Sequence, residues 1–394
     1  MISELHLRNW KSFADAIINI DSIMFLIGTN ASGKSNVLDA FGFLKAIAQG
    51  EQVRDAVASI RGGEDWIIRY GQSSFSLEVL IREGEYSFRY SIQIGRQNKG
   101  FSIISERLDR QFKKSPWKAL FYTGEIEDSA VTIPTRFYTA KRGNARKIEL
   151  LRGISILSQV EVLQVLKEVK ESAKIVSETL KSVFILNPDA NSMRSYVPLS
   201  QDLHNNGSNI AGVIAGMDSD LKEDIEKKLT RFVKPLPERD VDKVWAERVG
   251  RFGSDAMLYC DESWAPDRLL HLDARGMSDG TLRFIAIVAS LLTVKPGSLL
   301  IIEEIDNGLH PSRANELVKV LEEINFSRSV DVLCTTHNPV LIDALGNKLI
   351  PFISYISRDS NGDSIVSLVE DVPDLARLMS SSSIGGLMIN DRLK

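Results

Sequence analysis

Residues 25–41 read FLIGTNASGKSNVLDAF, and from Gly28 to Ser35 they spell G-x-x-x-x-G-K-S, a pattern suited to holding phosphate. Glycines let the backbone curl until its N–H groups face phosphate oxygens. Lys34 supplies positive charge between the outer phosphates, and the Ser35 hydroxyl is a ligand for Mg²⁺. The run SIMFLIG before the loop reads as a buried strand. SNVLDAFGFLKAIA after it reads as a helix, with Val37, Leu38, Phe41 and Leu44 apolar. Strand, glycine loop and helix together aim a helix N-terminus at an anion, so this is a nucleotide site.

Hydrolysis needs more: a metal must be held and a water oriented. SLLIIEEIDNGLHP at 298–311 offers candidates. Leu299 to Ile302 suit a central parallel strand. Glu303 and Glu304 follow at its carboxyl end, where open α/β sheets place their ligands. One carboxylate would reach the metal and the next would polarise the attacking water. Standing alone, the pair would read as a solvent-exposed acidic strand end. VDVLCTTHNPVLIDAL at 330–345 is a further strand that ends in His337. Its imidazole either contacts the γ-phosphate or only caps the helix opened by Asn338-Pro339. In LDARGMSDGTLRFIAIVASLL at 272–292, Ser278 is a good N-cap for an apolar helix. A serine and the Gly280 backbone at a helix N-terminus also form an anion site. Lys34 already serves this chain's own phosphates, so the second site would serve another molecule's ATP.

The four motifs, in this order, resemble those of the ATP-binding-cassette (ABC) ATPases. The closer likeness is to the soluble branch that contains SMC proteins, RecF and the OLD-type ATPases. Asn36 after GKS, the opening SELHLRNWKSF at 3–13, the signature-like MSDGTLRFIAI, and FILNPDANSMRSYVPLSQDLHNNGSNIAGVI at 184–214 carry it. The resemblance implies ATP and Mg²⁺ as cofactors, with Gly28, Asn30, Gly33, Lys34, Ser35 and Asn36 around the phosphates. Glu303 takes the metal position beside Ser35, and Glu304 that of the catalytic base. His337 becomes the switch histidine, and Ser278 and Gly280 contact a γ-phosphate bound to a partner subunit. Glu303 stands where many cassettes have aspartate, and Gln72 in IIRYGQSS is the candidate Gln-loop residue.

The implied fold is α/β: an ABC-type P-loop NTPase head with a split cassette, an antiparallel β subdomain and a short helical insertion. Residues 1–145 would hold the P-loop lobe, where SFSLEVLI, EYSFRYSIQI and GFSIISERL alternate as antiparallel strands. Residues 146–235 are expected to be mainly helical, with Ile156, Val160, Leu163, Leu166, Val169, Ala173, Val176, Leu180 and Val183 at helical spacing. Residues 236–394 would carry the signature, the carboxylates and His337. The insertion has room for a short arm only, not a long coiled coil.

Hydrophobic residues make up 43% and charged residues 25% of 394, which fits a folded soluble chain of more than one lobe. No apolar run reaches membrane-spanning length, the N-terminus lacks a signal-peptide core, and the two cysteines have no metal-ligand spacing, so a cytoplasmic setting is expected. A net charge of -4 gives no global pull toward nucleic acid, although RQFKKSPWK and TAKRGNARK cluster positive charge. Such runs also serve as solvated loop faces. Residues 338–394 look like a hairpin, FISYISRDSNGDSIVSLV, and a tail, too little for the Toprim nuclease domain of OLD-type enzymes. The expected protein is therefore an ATPase that dimerises, or forms a higher homo-oligomer, around ATP. It would control a separately encoded effector, such as a nuclease, in a bacterial defence or toxin–antitoxin-like system. A RecF-like ATPase that binds DNA directly is the alternative. A transporter subunit is disfavoured by the Ser-Asp-Gly-Thr signature and GKSN.

Overall fold

Alternating apolar and polar residues between 74 and 112 can bury one face of a sheet and wet the other, and the computed structural model builds them that way. It describes residues 1–97, 100–124, 130–139, 145–235, 240–265 and 268–393. The chain divides into two units. One comprises Met1–Asp21, Gly28–Val183 and Ser354–Ser367; the other comprises Ser22–Ile27, Phe184–Ile353 and Leu368–Lys394.

In the first unit an eight-stranded antiparallel sheet runs in the order Phe13–Asn19, Ile2–Trp10, Ser74–Glu83, Tyr86–Gln97, Gly100–Phe112, Lys118–Thr123, Thr132–Phe137, Arg146–Leu151. The three strands expected from alternation are its central members. Leu77, Val79, Phe88, Tyr90, Ile92 and Ile94 are buried on its inner face. The helix that follows the P-loop, Lys34–Gln49, docks through Phe43. The Phe43 ring packs edge-on to Phe75 at 5.4 Å, and Trp10 meets Phe75 at 4.9 Å. Each such ring removes enough apolar surface from water to stabilise the unit by roughly 2 kcal/mol. The Trp10 indole N–H also donates to the Asn36 carbonyl at 2.7 Å, which fixes the first turn of the helix to the sheet.

The second unit contains four parallel strands in the order Phe184–Leu186, Leu299–Ile302, Asp331–Thr336, Ile23–Ile27. The last three are buried along their whole length, as strands covered on both faces must be. The helix Asp279–Thr293 buries eleven residues, including Leu282, Phe284, Ile285 and Ile287. Asp255–Ala265 pairs antiparallel with Asp240–Val249, Val197–Pro198 and Arg268–Asp273.

The apolar periodicity from Ile156 to Val183 does not form one helix. A short helix Ile156–Gln159 passes into a 3-10 turn, Val160–Val162, and a second helix occupies Lys167–Lys181. β-Branched Val160, Val162 and Val165 weaken the helix there, while Val169, Ala173, Val176 and Leu180 remain buried. Between 146 and 235 the helices share the chain with the strands Arg146–Leu151, Phe184–Leu186 and Val197–Pro198. The limit at 235 adjoins residues 236–239, outside the described ones. The positive run 110–118 is locally paired: Arg110 and Lys118 both bond to Glu168, and Lys113 lies 2.8 Å from Glu85. Within TAKRGNARK, residues 140–144 lie outside the described residues.

One buried carboxylate holds the sheet to the start of this segment. Glu106 accepts the N–H groups of Ile156 and Leu157 at 2.7 and 2.8 Å and the Tyr90 hydroxyl at 3.0 Å. Burial outweighs those donors and pushes its pKa up to about 7. Between the ordinary carboxylate value and 7 the native chain keeps a proton that the unfolded chain has released, so stability falls as pH rises through that window. The melting temperature should therefore decline from about pH 5 to about pH 8, and Glu106→Gln should flatten that slope. Equal slopes for the two proteins in calorimetry would contradict the assignment.

Candidate functional site

The residues singled out in the sequence fall into two groups, one in each unit. In the first, a loop that binds phosphate through its amides must have its carbonyls occupied elsewhere. Gly28 and Gly33 adopt φ of 152° and 119°, and Ala31 is left-handed at 62°. A Cβ on Gly28 would lie 2.3 Å from the Ile356 carbonyl oxygen, and one on Gly33 would lie 2.5 Å from the Ser364 hydroxyl. Both positions need glycine for conformation and for space. The Lys34 ammonium donates to the carbonyls of Gly28 and Thr29 at 2.7 and 2.9 Å. It thus lies across the loop, where an outer phosphate would meet it. Asn30 is exposed at the crest of the loop.

Two residues from the hairpin near the C-terminus grip the same loop. Arg358 donates to the Ala31 carbonyl at 3.1 and 2.9 Å, and the Ser364 hydroxyl donates to the Ser32 carbonyl at 2.5 Å. Carbonyl and amide of a trans peptide point in opposite directions, so holding these carbonyls from outside turns the following amides inward. Asn36 donates its side-chain amide to Ser12 at 2.7 Å, and Ser12 in turn is 2.7 Å from Ser364. Asn36 therefore anchors the loop to the turn between the first two strands.

Beside the loop opens a cavity of about 610 Å³ lined by Ser35, Asn36, Lys11, Arg61, Arg69 and Arg358, among others, a volume suited to a nucleotide. Trp66 and Tyr70 stand at it with their rings exposed. Arg69 forks onto Asp363 at 2.6 and 2.7 Å and holds that carboxyl below the usual carboxylate range. Lys11 and Arg61 share Asp39 at 2.5 and 2.9 Å. Gln72, two residues beyond Tyr70, is exposed just before the strand Ser74–Glu83 and is not part of the lining.

In the second unit, Glu303, Glu304 and His337 sit at the carboxyl ends of two adjacent parallel strands. The Glu303 N–H donates to the Leu186 carbonyl at 3.0 Å, and its carboxylate lies 3.5 Å from the Asn187 amide. Glu304 is left-handed, with φ of 47°, and its N–H is held by the Thr335 hydroxyl at 2.9 Å. Such a backbone costs about 1 kcal/mol or more and occurs where geometry matters. Its carboxylate and the His337 ring are 4.0 Å apart, both half-exposed. Asn338 caps the next helix, accepting from Val340 N–H at 2.9 Å with Pro339 at the first turn, so His337 stands at the strand-to-helix corner. Ser278 caps Asp279–Thr293 by accepting the Thr281 N–H at 3.1 Å. Gly280 has no room for a side chain: a Cβ would meet the Gly308 carbonyl at 2.9 Å and Arg313 at 3.1 Å.

Among the described residues no cluster of three or more His, Cys, Asp or Glu is arranged to hold a metal. Mg²⁺ is compatible with that, because it ordinarily rests on nucleotide phosphates plus one or two protein oxygens. Ser35 and Glu303 are oxygen donors of the right chemistry. Sequence reasoning missed Ser12, Arg358 and Ser364. The one signal was that the polar turns NWKS and RDSNGD interrupt strands.

A family profile described as "AAA domain, putative AbiEii toxin, Type IV TA system" matches residues 23–343. The DNA replication and repair protein RecF of Porphyromonas gingivalis is 31% identical over 117 residues, 28% of this chain and 30% of that protein. The DNA double-strand break repair Rad50 ATPase of Thermoplasma volcanium is 30% identical over 107 residues, 27% of this chain and 11% of that protein. The chain thus spans under a third of the length of these curated relatives. A crystal structure of the SmcHead bound to the C-winged helix domain of ScpA has a TM-score of 0.50 at 15% identity, covering 93% of this chain and 97% of that one, and shows the fold. The SMC head domain from Thermotoga maritima is similar over 93% of this chain and 98% of that one, with a TM-score of 0.47 and 14% identity.

Arg358→Ala should weaken nucleotide affinity about tenfold by releasing the Ala31 carbonyl, while Lys34→Ala should abolish productive binding. Titration with a fluorescent ATP analogue checks both. Unchanged affinity in Arg358→Ala would remove the hairpin from the site.

Proposed function

Since the chain belongs to this AAA-domain family and is an ABC-type P-loop ATPase of the SMC and RecF branch, we propose that it works as a nucleotide-driven switch between separate and joined protomers. ATP bound at Lys34 and Ser35 of one chain is completed by Ser278 and Gly280 of another. Glu304 accepts a proton from the attacking water, and His337 senses the γ-phosphate. Mg²⁺, when bound, would neutralise charge at the phosphates, and Ser35 and Glu303 are the protein oxygens that would hold it. The exposed rings of Trp66 and Tyr70 offer a face to the base. Gln72 is retained as the Gln-loop candidate, and residues 146–235 as a short arm between the lobes 1–145 and 236–394.

The observation that carries this reading is the N-terminus of Asp279–Thr293. Its cap, Ser278, is exposed, and its second residue, Gly280, has no room for a side chain beside the Gly308 carbonyl. Lys34 provides for the phosphates of its own loop, so this second anion-facing end suits a nucleotide held by another copy. Loss of the γ-phosphate then weakens the joint, which makes hydrolysis the release step.

The family description, with its AbiEii toxin and type IV toxin–antitoxin wording, supports an output in bacterial defence; delivery of that output by a separately encoded effector is the reading carried over from the sequence. The RecF likeness supports a second reading, direct DNA binding in repair. A steep fall of duplex affinity with salt would favour that one. Among the described residues no helix is long and apolar enough to cross a membrane, in keeping with the cytoplasmic setting proposed here.

Glu304→Gln should bind Mg-ATP without turning it over and rise in molar mass by light scattering. A mass indifferent to nucleotide would sink the switch. Ser278→Arg should keep nucleotide binding yet lose turnover; hydrolysis at the wild-type rate would dismiss the composite site.

A further inference from the structure

The turn that presents Ser278 is held by a residue to which no role has been assigned above. The edge strand Phe184–Leu186 pairs with the strand that carries Glu303. The chain then makes a tight series of turns. Asn187 and Asp189 donate their N–H groups to the carbonyls of Asn205 and Asn206 at 2.8 and 3.0 Å. Asp189 accepts the Asn191 N–H at 3.1 Å and the Ser192 hydroxyl, and Met193 is buried. A 3-10 turn, Ser192–Arg194, ends the series.

From this footing Arg194 reaches across to residues 274–279. One guanidinium nitrogen donates to the carbonyls of Ala274 at 2.9 Å and Met277 at 3.1 Å, and another bonds to the Asp279 carboxylate. These bonds do two things. The two carbonyls flank Arg275 and Gly276 just before the cap, so fixing them fixes where Ser278 stands. Asp279 is the first residue of the helix; its negative charge suits the helix dipole but would repel a triphosphate brought to Ser278 and Gly280. The guanidinium neutralises it. A lysine has a single ammonium and cannot span both carbonyls and the carboxylate in the same planar fork.

We propose that Arg194 is a positioning residue for the turn that receives the partner protomer's nucleotide: it sets Ser278 by its carbonyl bonds and silences the charge of Asp279. The proposal rests on the composite-site reading and adds a residue to it. Arg194 touches neither the P-loop nor the carboxylate pair, so its loss acts on assembly and not on the first binding of nucleotide.

The test compares Glu304→Gln with Glu304→Gln/Arg194→Ala and Glu304→Gln/Arg194→Lys, using affinity for a fluorescent ATP analogue and molar mass with Mg-ATP. The expected result is nucleotide affinity within about twofold in all three and association weakened at least about tenfold in the alanine variant. The lysine variant should fall between, and added methylguanidinium should restore the alanine variant. Retained nucleotide affinity reports a folded chain; if the alanine variant does not fold, the lysine variant carries the comparison. Should Glu304→Gln associate and both double variants associate equally well, the role of Arg194 is overturned while the composite site stands. If Glu304→Gln itself fails to associate, the composite site falls, and the proposal with it.

Discussion

A loop that holds phosphate with its amides has to dispose of its carbonyls, and in this protein they are gripped from a great distance along the chain. Arg358 bonds to the carbonyl of Ala31 across 327 residues, and Ser364 to that of Ser32 across 332. The glycines at 28 and 33 then leave no space between loop and hairpin, each pressed against atoms of residues 356–364. The loop's shape therefore belongs to the hairpin as much as to the glycines. Ser12 and Asn36 extend the grip to the first two strands, and Trp10 extends it to the helix.

The second unit solves a related problem at the ends of its parallel strands. Glu304 is forced into a left-handed backbone and pinned there by Thr335 from the neighbouring strand. That turn aims its carboxylate toward His337. Gly280 is crowded as well: a Cβ there would lie 2.9 Å from the Gly308 carbonyl oxygen. Strand register thus sets which side chains meet: Ile302 pairs with Cys334, so the residues just beyond them, Glu303–Glu304 and Thr335–His337, fall side by side. Cys334 itself is buried, with its thiol pKa pushed up by desolvation, which makes it an inert core residue.

Charge is handled mostly by local pairing. Arg110 and Lys118 meet at Glu168, Lys11 and Arg61 at Asp39, and Arg69 at Asp363. Around the cavity beside the loop this leaves cations held in place by carboxylates, an arrangement that keeps long side chains ordered. Glu106 is handled differently: this buried carboxylate is satisfied by two helix-start amides and a tyrosine hydroxyl.

The sequence by itself determined the motifs and the elements that carry them. The placement of Gly28 to Ser35 between strand and helix, of Glu303, Glu304 and His337 at strand ends, and of Ser278 as a helix cap was legible because strand, loop and helix periods flank them. The three alternating strands between 74 and 112 were legible for the same reason. Tertiary structure alone decided that Ser12, Arg358 and Ser364 belong to the P-loop and Arg194 to the turn before Ser278, because those bonds join residues far apart in the chain and leave no local period. It also placed a 3-10 turn at Val160–Val162, within the stretch of helical apolar spacing, where the spacing continues but the α-helical hydrogen bonding does not. Periodicity records which face is buried; it does not record which distant carbonyl a side chain will find.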